Sequence, residues 1–185
     1  MVYSERTIGS ERAHLIHVEM NIRVASVADL DDILRIQALA YGEYFNEPAE
    51  ALMAKLMLAT ESSFIAEVDE VVCAYGIAFP WECDTPVVLH SIDIVPPKIA
   101  NVMYIHDVAV DPQHHKMGIA QSLVDAIAQR STELGINSFE LVAVQDSAEF
   151  WKRNGFTEHG IAGAEYGDGA VKMNRQLLQR PWPKR

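Results

Sequence analysis

The sequence predicts one α/β domain, in which a sheet is flanked by helices. The chain has 185 residues, the length of a single domain with its own core. Hydrophobic residues make up 49% and charged residues 22%, as in globular proteins rather than disordered or membrane chains. Amphipathic and β-type segments follow in the order ααββ, then βαβα, then a closing β region.

The N-terminal segment lacks clear periodicity before a strand that opens at Met20. Two alternatives stay open for residues 1–19: an extension upstream of a natural start at Met20, or an accessory segment that packs on the domain. We therefore assign residues 20–185 to a single domain and residues 1–19 to an N-terminal extension or tail.

The first two helices are indicated by their end residues. The segment 26–29, Ser-Val-Ala-Asp, resembles a capping box, in which the serine and aspartate side chains satisfy free backbone N–H groups. The apolar stripe that follows predicts a helix over 27–41 that ends at Gly42. Pro48 suits the first turn of a second helix. Its predicted core residues are Leu52, Met53, Leu56 and Met57.

Two β-type runs, 63–68 and 71–79, are joined by an acidic turn and predict an antiparallel hairpin. We expect Pro80 to stop the second strand, because proline has no N–H to donate. Residues 81–102 contain three prolines and form an unusually long connection. Its polar residues either line an acceptor site or belong to a solvated loop: Glu82, Asp84, His90 and Asp93.

The most informative segment is a buried strand over 104–110, a polar turn, and a helix that begins near Gly118. Free backbone N–H groups and the positive end of the helix dipole meet at such a turn, which makes it an anion site. Gly118 lets a ligand approach the backbone, and Ala120 is small, so a diphosphate fits there. The motifs of dinucleotide-binding folds, nucleoside triphosphatases and serine hydrolases are absent from the sequence.

The remaining elements follow in order. Gly135 is placed to end the long helix, residues 139–144 predict another strand, and residues 148–154 predict a short helix. Gly155-Phe156 then begins the closing β region. The predicted buried face of the long helix consists of Ile119, Leu123, Val124 and Ile127.

Two motifs follow each other along the second half of the chain. The first is Val108-x-Val110-Asp111-Pro112, followed by residues 115–120, His-Lys-Met-Gly-Ile-Ala. The second, residues 147–156, is an aromatic-rich short helix that ends in Gly-Phe. Together they resemble the acyl-CoA signature and the second signature of the GNAT superfamily of acyl-CoA-dependent N-acetyltransferases. The resemblance covers residues 20–174. It implies a mixed, mostly antiparallel sheet flanked by helices, with acyl-CoA in a splay between two parallel central strands.

The resemblance also implies that acetyl-CoA binds as the acyl-donor cosubstrate. Its pantetheine would pair with the backbones of Val108 and Val110, and its pyrophosphate would lie against the amides of residues 115–120. The expected contact residues are Val108, Ala109, Val110, His115, Lys116, Met117, Gly118, Ile119, Ala120, Gln121, Ser147, Phe150 and Trp151.

Two positions depart from the family pattern. His115 stands where the family usually has Arg or Gln, so we expect a side-chain donor to the pyrophosphate that is weaker or pH-dependent, with backbone amides providing most of the site. Trp151 stands where many members have a Tyr that protonates the leaving thiolate, and an indole cannot supply a proton near neutral pH. We therefore assign the thiolate contact to Ser147.

His106 and Asp107 are the candidate bases for the incoming amine, because they lie on the central strand beside the expected acyl group. Side chains alternate along a strand, so we expect the two residues to face opposite ways. A structural role for both stays open as the alternative.

The implied reaction is direct transfer of an acetyl group from acetyl-CoA to a primary amine of a small molecule or peptide. The alternative is a non-catalytic acyl-CoA-binding sensor or regulatory domain, because positions 115 and 151 depart from the pattern. A purely structural interaction domain has the least support. The net charge of −11 disfavours nucleic acid as a partner and mildly favours a cationic amine.

No apolar run approaches the roughly 18 residues that a membrane helix needs, and the charged N-terminus does not resemble a signal peptide, so we expect a cytoplasmic protein with no membrane partner. The two cysteines, Cys73 and Cys83, predict neither a disulfide framework nor a structural metal site. A homodimer is an expectation that comes from the resemblance alone.

Overall fold

The computed structural model describes residues 2–4, 18–59 and 61–177. The strands are β1 (Val2–Ser4), β2 (Val18–Val24), β3 (Phe64–Val68), β4 (Val71–Trp81), β5 (Val102–Val110), β6 (Ser138–Ala143), β7 (Thr157–Ile161) and β8 (Val171–Gln176). The helices are α1 (Leu30–Ala40), α2 (Ala49–Leu58), α3 (Ile119–Glu133) and α4 (Ala148–Arg153).

Within the described residues these strands form one sheet in the order β1-β2-β3-β4-β5-β6-β8-β7. Every neighbouring pair is antiparallel except β5 and β6, which are parallel and connected through α3. The ladder between β5 and β6 runs only from Met103 opposite Phe139 to Ile105 opposite Leu141. The predicted mixed, mostly antiparallel sheet is therefore confirmed, and its one parallel pair separates beyond Ile105.

Helices cover both faces of the sheet. The core on one face joins α1 and α2 to side chains of β4 and β5 such as Tyr75 and Phe79. The core on the other face joins α3 to Met103, Ile105 and neighbouring strands. The predicted buried face of α3 is confirmed at all four positions. Because apolar side chains are removed from water on both faces, the central strands form the middle layer of the domain.

The predicted capping box is present where the chain enters α1. The Ser26 hydroxyl accepts a hydrogen bond from the Ala28 N–H, and the Asp29 carboxylate accepts one from the Ser26 N–H at 2.8 Å. A single 3-10 turn, Val27–Asp29, leads into the helix. The predicted helix end at Gly42 is wrong, because α1 stops at Ala40 and the chain becomes extended at Tyr41.

The second helix begins after Pro48, as predicted, and buries Leu52 and Leu56. The methionines are not both core residues, since Met53 is half-buried and Met57 is 66% exposed. The other buried positions are Ala51 and Lys55, so small and charged side chains occupy part of the inward face.

The predicted hairpin is confirmed, but Pro80 does not end its second strand. The pairing of β3 with β4 stops at Gly76, whereas β4 pairs with β5 through Trp81. Pro80 therefore lies where β4 has one ladder neighbour, and a missing N–H is tolerated at such an edge.

At the N-terminus, Val2–Ser4 pairs antiparallel with the start of β2, which begins at Val18 rather than Met20. Residues 5–17 lie outside the described residues. The domain boundary after residue 19 stays a prediction.

Candidate functional site

A cleft of about 610 Å³ opens where β5 and β6 separate. Its walls come from the C-terminal half of β5, the turn before α3, the end of β6, the start of α4, and the connection between α1 and α2. Residues of both sequence signatures therefore meet in one cleft.

A β-bulge shapes the strand that forms the floor of this cleft. The register between β4 and β5 shifts so that Ile77 opposes Asp107 and Ala78 opposes Ile105, which leaves His106 as an extra residue. An extra residue bends its strand and interrupts the alternation of side chains. The bulge therefore accounts for the separation of β5 from β6 at this point.

The bulge also corrects the expectation that His106 and Asp107 face opposite ways. The His106 ring lies 6.3 Å from the Phe79 ring, in the core beneath α1 and α2. Asp107 accepts hydrogen bonds from Tyr41 and Tyr75, which belong to the same core. Both side chains thus face the same side of the sheet.

His106 is held by a carboxylate that the sequence analysis missed. Its side chain is 4% exposed, and its Nε2 lies 2.6 Å from Oε2 of Glu47. Its Nδ1 is buried without a hydrogen-bond partner among the described residues. Since a neutral imidazole has one donor and one acceptor nitrogen, this arrangement leaves Nδ1 able to accept a proton.

Glu47 is itself buried and lies just before α2. Its other oxygen, Oε1, accepts hydrogen bonds from Lys55 Nζ at 2.6 Å and from the His90 N–H at 2.7 Å. Burial raises the pKa of Glu47, but the hydrogen bonds and charges of His106 and Lys55 outweigh it and lower the pKa to about 2. Glu47 is therefore an ionised acceptor and a poor base.

Asp107 is a fully engaged carboxylate. Tyr41 donates to its Oδ1 at 2.5 Å, and Tyr75 donates to its Oδ2. Burial raises the pKa of Asp107, and the two tyrosine hydroxyls counteract this only in part. Burial and the nearby carboxylate raise the pKa of both tyrosines well above the ordinary value, so they remain donors.

The turn before α3 exposes backbone N–H groups to the cleft. Lys116 and Gly118 have φ angles of +65° and +79°, in the left-handed region. The Ser122 N–H bonds to the Gly118 carbonyl at 3.1 Å, so the N–H groups of residues 119–121 precede the first hydrogen bond of the helix. A Cβ at Gly118 would meet no atom within 4 Å. Such a turn is a ready anion site.

The opposite wall begins with Ser147, the residue before α4. Gln145 and Asp146 have φ angles of +50° and +59° and turn the chain sharply from β6 into this helix. The Ser147 side chain caps no backbone group of α4. The Trp151 ring packs edge-on against Phe150, at 5.0 Å between ring centroids, and is largely buried. Its place is consistent with the expected contact to an acyl-CoA.

All but one of the predicted site residues line the cleft. The exception is Met117, whose side chain packs against the core beneath α3; the expected contact of its backbone amide with a pyrophosphate stays a prediction. His115 lines the cleft, but its Nε2 lies 3.1 Å from the Val110 carbonyl and is engaged by the backbone.

For the long connection before β5, Glu82, Asp84 and Asp93 are exposed and match the solvated-loop alternative. Leu89 lines the cleft, and His90 bonds to Glu47 through its backbone, whereas the side chains of Glu82, Asp84 and Asp93 do not line it. Four further lining residues on the α1–α2 side belong to no sequence motif: Tyr41, Phe45, Glu47 and Tyr166.

Outside the cleft, Cys83, Asp84 and Glu140 bring one thiol and two carboxylates within 4.8 Å of one another. The hydrogen bond of Cys83 to Glu140, with burial and the neighbouring charges, raises the pKa of the thiol to about 12. A protonated thiol is a poor metal ligand and nucleophile. The expectation of no metal site stays a prediction.

No helix in the described part of the chain is both long enough and apolar enough to span a membrane.

A parallel strand pair that separates beside a helix start with free N–H groups offers a groove suited to an elongated anionic ligand. The sequence profile of the Acetyltransferase (GNAT) family matches residues 30–156. The protein belongs to this family of N-acetyltransferases.

Solved structures agree in fold. Ard1 from Thermoplasma volcanium is 21% identical, with a TM-score of 0.71 over 86% of this chain and 99% of that one. The loading GNATL domain of CurA from Lyngbya majuscula is 12% identical, with a TM-score of 0.76 over 88% of this chain and 100% of that one. PaiA N-acetyltransferase from Thermoplasma acidophilum, solved in complex with coenzyme A, is 15% identical, with a TM-score of 0.65 over 85% and 99%. Curated protein sequences give no match.

Proposed function

We propose that this protein transfers the acetyl group of acetyl-CoA directly to a primary amine of a small molecule or peptide. The observation that carries the proposal is the open backbone edge of β5 beyond Ile105, which leads to the left-handed turn at Gly118 in the same cleft. This combination provides an extended hydrogen-bonding edge and an anion site in one groove.

The cleft residues suit acetyl-CoA. The backbones of Val108 and Val110 have no ladder partner on β6. Their carbonyls contact the Tyr41 hydroxyl at 3.3 Å and His115 Nε2 at 3.1 Å, and each carbonyl keeps a second lone pair for an amide of pantetheine. The N–H groups at the start of α3 suit the pyrophosphate, and the space above Gly118 lets it approach. When bound, acetyl-CoA supplies the thioester whose C–S bond breaks as the amine nitrogen forms the new amide.

His106 is the better candidate base of the two on β5. His106 lines the cleft and its Nδ1 has no hydrogen-bond partner among the described residues, whereas both oxygens of Asp107 already accept tyrosine hydroxyls. A base must offer a lone pair toward the proton that it removes. We assign Asp107 to holding Tyr41 and Tyr75, and Ser147 to the hydrogen bond that stabilises the leaving thiolate.

The lining also supports a class of acceptor. Among the described lining residues the carboxylates are Glu47 and Asp107, and both are saturated with hydrogen bonds. Phe45, Leu89 and Tyr166 provide apolar and aromatic surface on the same side. A primary amine carried on an apolar or aromatic body fits this lining better than a polyamine, although the overall charge of −11 attracts both.

The test compares acetyl-CoA binding by calorimetry in the wild type, Gly118→Trp and Gly135→Trp. The two glycines have φ angles of +79° and +75°, bracket the same helix, and have open space at Cβ. Both substitutions therefore impose the same backbone strain, but only the first fills the anion site. We expect binding to be lost in Gly118→Trp and retained in Gly135→Trp.

Release of free thiol is then followed with a panel that includes benzylamine, phenethylamine and spermidine. Release with the aromatic amines supports the proposed acceptor class, and release with spermidine alone contradicts it. Binding without release from any amine supports the sensor alternative. No binding by the wild type overturns both.

A further inference from the structure

We propose that Glu47 is a positioning residue that fixes His106 in the orientation and tautomer of a base acting through Nδ1, with Lys55 holding Glu47 in place. The inference rests on the proposed acetyl transfer and adds to it residues outside both sequence signatures.

Glu47 is fixed at every polar atom. Its carboxylate binds His106 and Lys55, each at 2.6 Å, and the His90 N–H at 2.7 Å. Its backbone N–H and carbonyl both bond to the Gln37 side chain at 3.0 Å. Five hydrogen bonds from four residues fix the position of Glu47, and Glu47 in turn fixes the position of the imidazole that it contacts.

The tautomer follows from the chemistry of the contact. An ionised carboxylate only accepts hydrogen bonds, so the nitrogen that faces Glu47, Nε2, carries the hydrogen in neutral His106. The lone pair is then on Nδ1, the nitrogen without a partner among the described residues. In the proposed step a proton moves from the substrate ammonium to Nδ1, and the resulting imidazolium faces the Glu47 carboxylate.

Lys55 weakens the attraction between Glu47 and a protonated His106. Its ammonium is fully buried and neutralises Glu47 before any proton reaches His106. Because the carboxylate is shared, it stabilises the imidazolium less than an unshared carboxylate would. The groups facing this pair from the surrounding elements are Tyr41, Tyr75, Tyr104, Asp107 and Tyr166.

The first experiment is ¹⁵N NMR of the imidazoles, which needs no acceptor. A His106→Gln variant identifies the His106 resonances by difference. We expect the Nε2–H tautomer for neutral His106 in the wild type, and a mixture of tautomers in Glu47→Gln. An Nδ1–H tautomer in the wild type overturns the inference.

The second experiment measures thiol release against pH, using the amine that the wild type acetylates fastest. Glu47→Gln removes the charge opposite the imidazolium, so we expect kcat to fall about 10²-fold and the acid limb of the kcat/KM profile to move to lower pH by about one unit. Lys55→Met leaves Glu47 unshared, so we expect the acid limb to move the opposite way by a similar amount.

Glu67→Gln is the matched control, because it breaks a 2.7 Å ion pair with Arg23 outside the cleft. Binding of acetyl-CoA should change less than about twofold in all three variants, since none contacts the anion site. A wild-type profile in both Glu47→Gln and Lys55→Met overturns the inference and leaves the transferase intact. If Glu47→Gln does not fold, an unmoved acid limb in Lys55→Met overturns it alone.

Discussion

At Asp107, two tyrosine hydroxyls donate to one partly buried carboxylate in the wall of the cleft. Tyr41 comes from the end of α1 and Tyr75 from β4, so the carboxylate ties a helix to the sheet beside the cleft. The network stabilises the fold only while each oxygen keeps its donor.

We expect Tyr75→Phe to lower the free energy of unfolding by about 1–3 kcal/mol, because it leaves a buried carboxylate oxygen without a partner. The raised pKa of Asp107 means that the folded state favours the protonated carboxyl, so the loss should be smaller in acid than at neutral pH. Urea unfolding measures both. Tyr44→Phe is the control, since its exposed hydroxyl donates to the Glu165 carbonyl; equal losses in the two variants would contradict the assignment.

Individual residues differ in how far the sequence predicts their roles. Gly118 and Ser147 are marked by motifs whose spacing reflects local backbone geometry, and both lie where the motifs place them. Glu47 is 59 residues from His106 along the chain, and only tertiary packing brings them together. The orientation of Asp107 depends on a bulge in β5. A sequence pattern that assumes strictly alternating side chains cannot predict such a bulge.

Among the helices, α1 shows how the residues before a helix determine where it begins. Ser26 and Asp29 satisfy backbone donors at its start, and Arg23 of β2 pairs with Asp29 at 2.6 Å. The hydrogen bond to Arg23 lowers the pKa of Asp29, so this contact favours the ionised carboxylate. The capping box therefore also joins the helix to the sheet.

We expect Ser26→Ala to destabilise the protein by about 1 kcal/mol, because the Ala28 N–H loses its acceptor at the helix start. Ser122→Ala, inside α3, is the comparison. There alanine is the better helix former, so the free energy of unfolding should stay level or rise by a few tenths of a kcal/mol. Thermal melting followed by circular dichroism reports both; equal losses would argue against a capping role for Ser26.

The ends of elements were harder to predict than their presence. Gly135 has a φ of +75° and ends α3 as expected, because its local hydrogen bonds require a left-handed residue. Gly42 is not needed as a left-handed residue at a helix end, because the backbone is already extended at Tyr41. β4 continues through Pro80 because β3, its partner on one side, no longer pairs with it there. The point where β3 ends cannot be read from the residues around Pro80.

For the whole molecule, the buried carboxylate of Glu47 makes the free energy of unfolding depend on pH. Its pKa falls from 4.5 to about 2 on folding. A lowered carboxylate pKa adds stability that is complete above pH 4.5 and is lost as the pH falls toward 2. The raised pKa of Asp107 acts with the opposite sign, since its contribution weakens as the pH rises.

We expect the Glu47 contribution to amount to about 3 kcal/mol, from the conversion of a pKa shift to free energy. Urea unfolding at a series of pH values between 2 and 6 measures it. The curve for Glu47→Gln should be flatter over this range and lower at neutral pH, because the buried Lys55 loses its partner. Parallel curves for the two proteins would show that Glu47 does not titrate in this range.

The bulge at His106 performs two tasks with one added residue: it bends β5 away from β6, and it presents two consecutive side chains to the same face. In the proposed transferase, one bulge therefore shapes both the groove assigned to the cosubstrate and the face that carries His106, and substitution alone does not separate them. Only a change in the number of residues on β5 would do so. Phe45 and Leu89 lie outside β5, so under the proposed function a change in acceptor preference would be sought at these two residues with the strand unchanged.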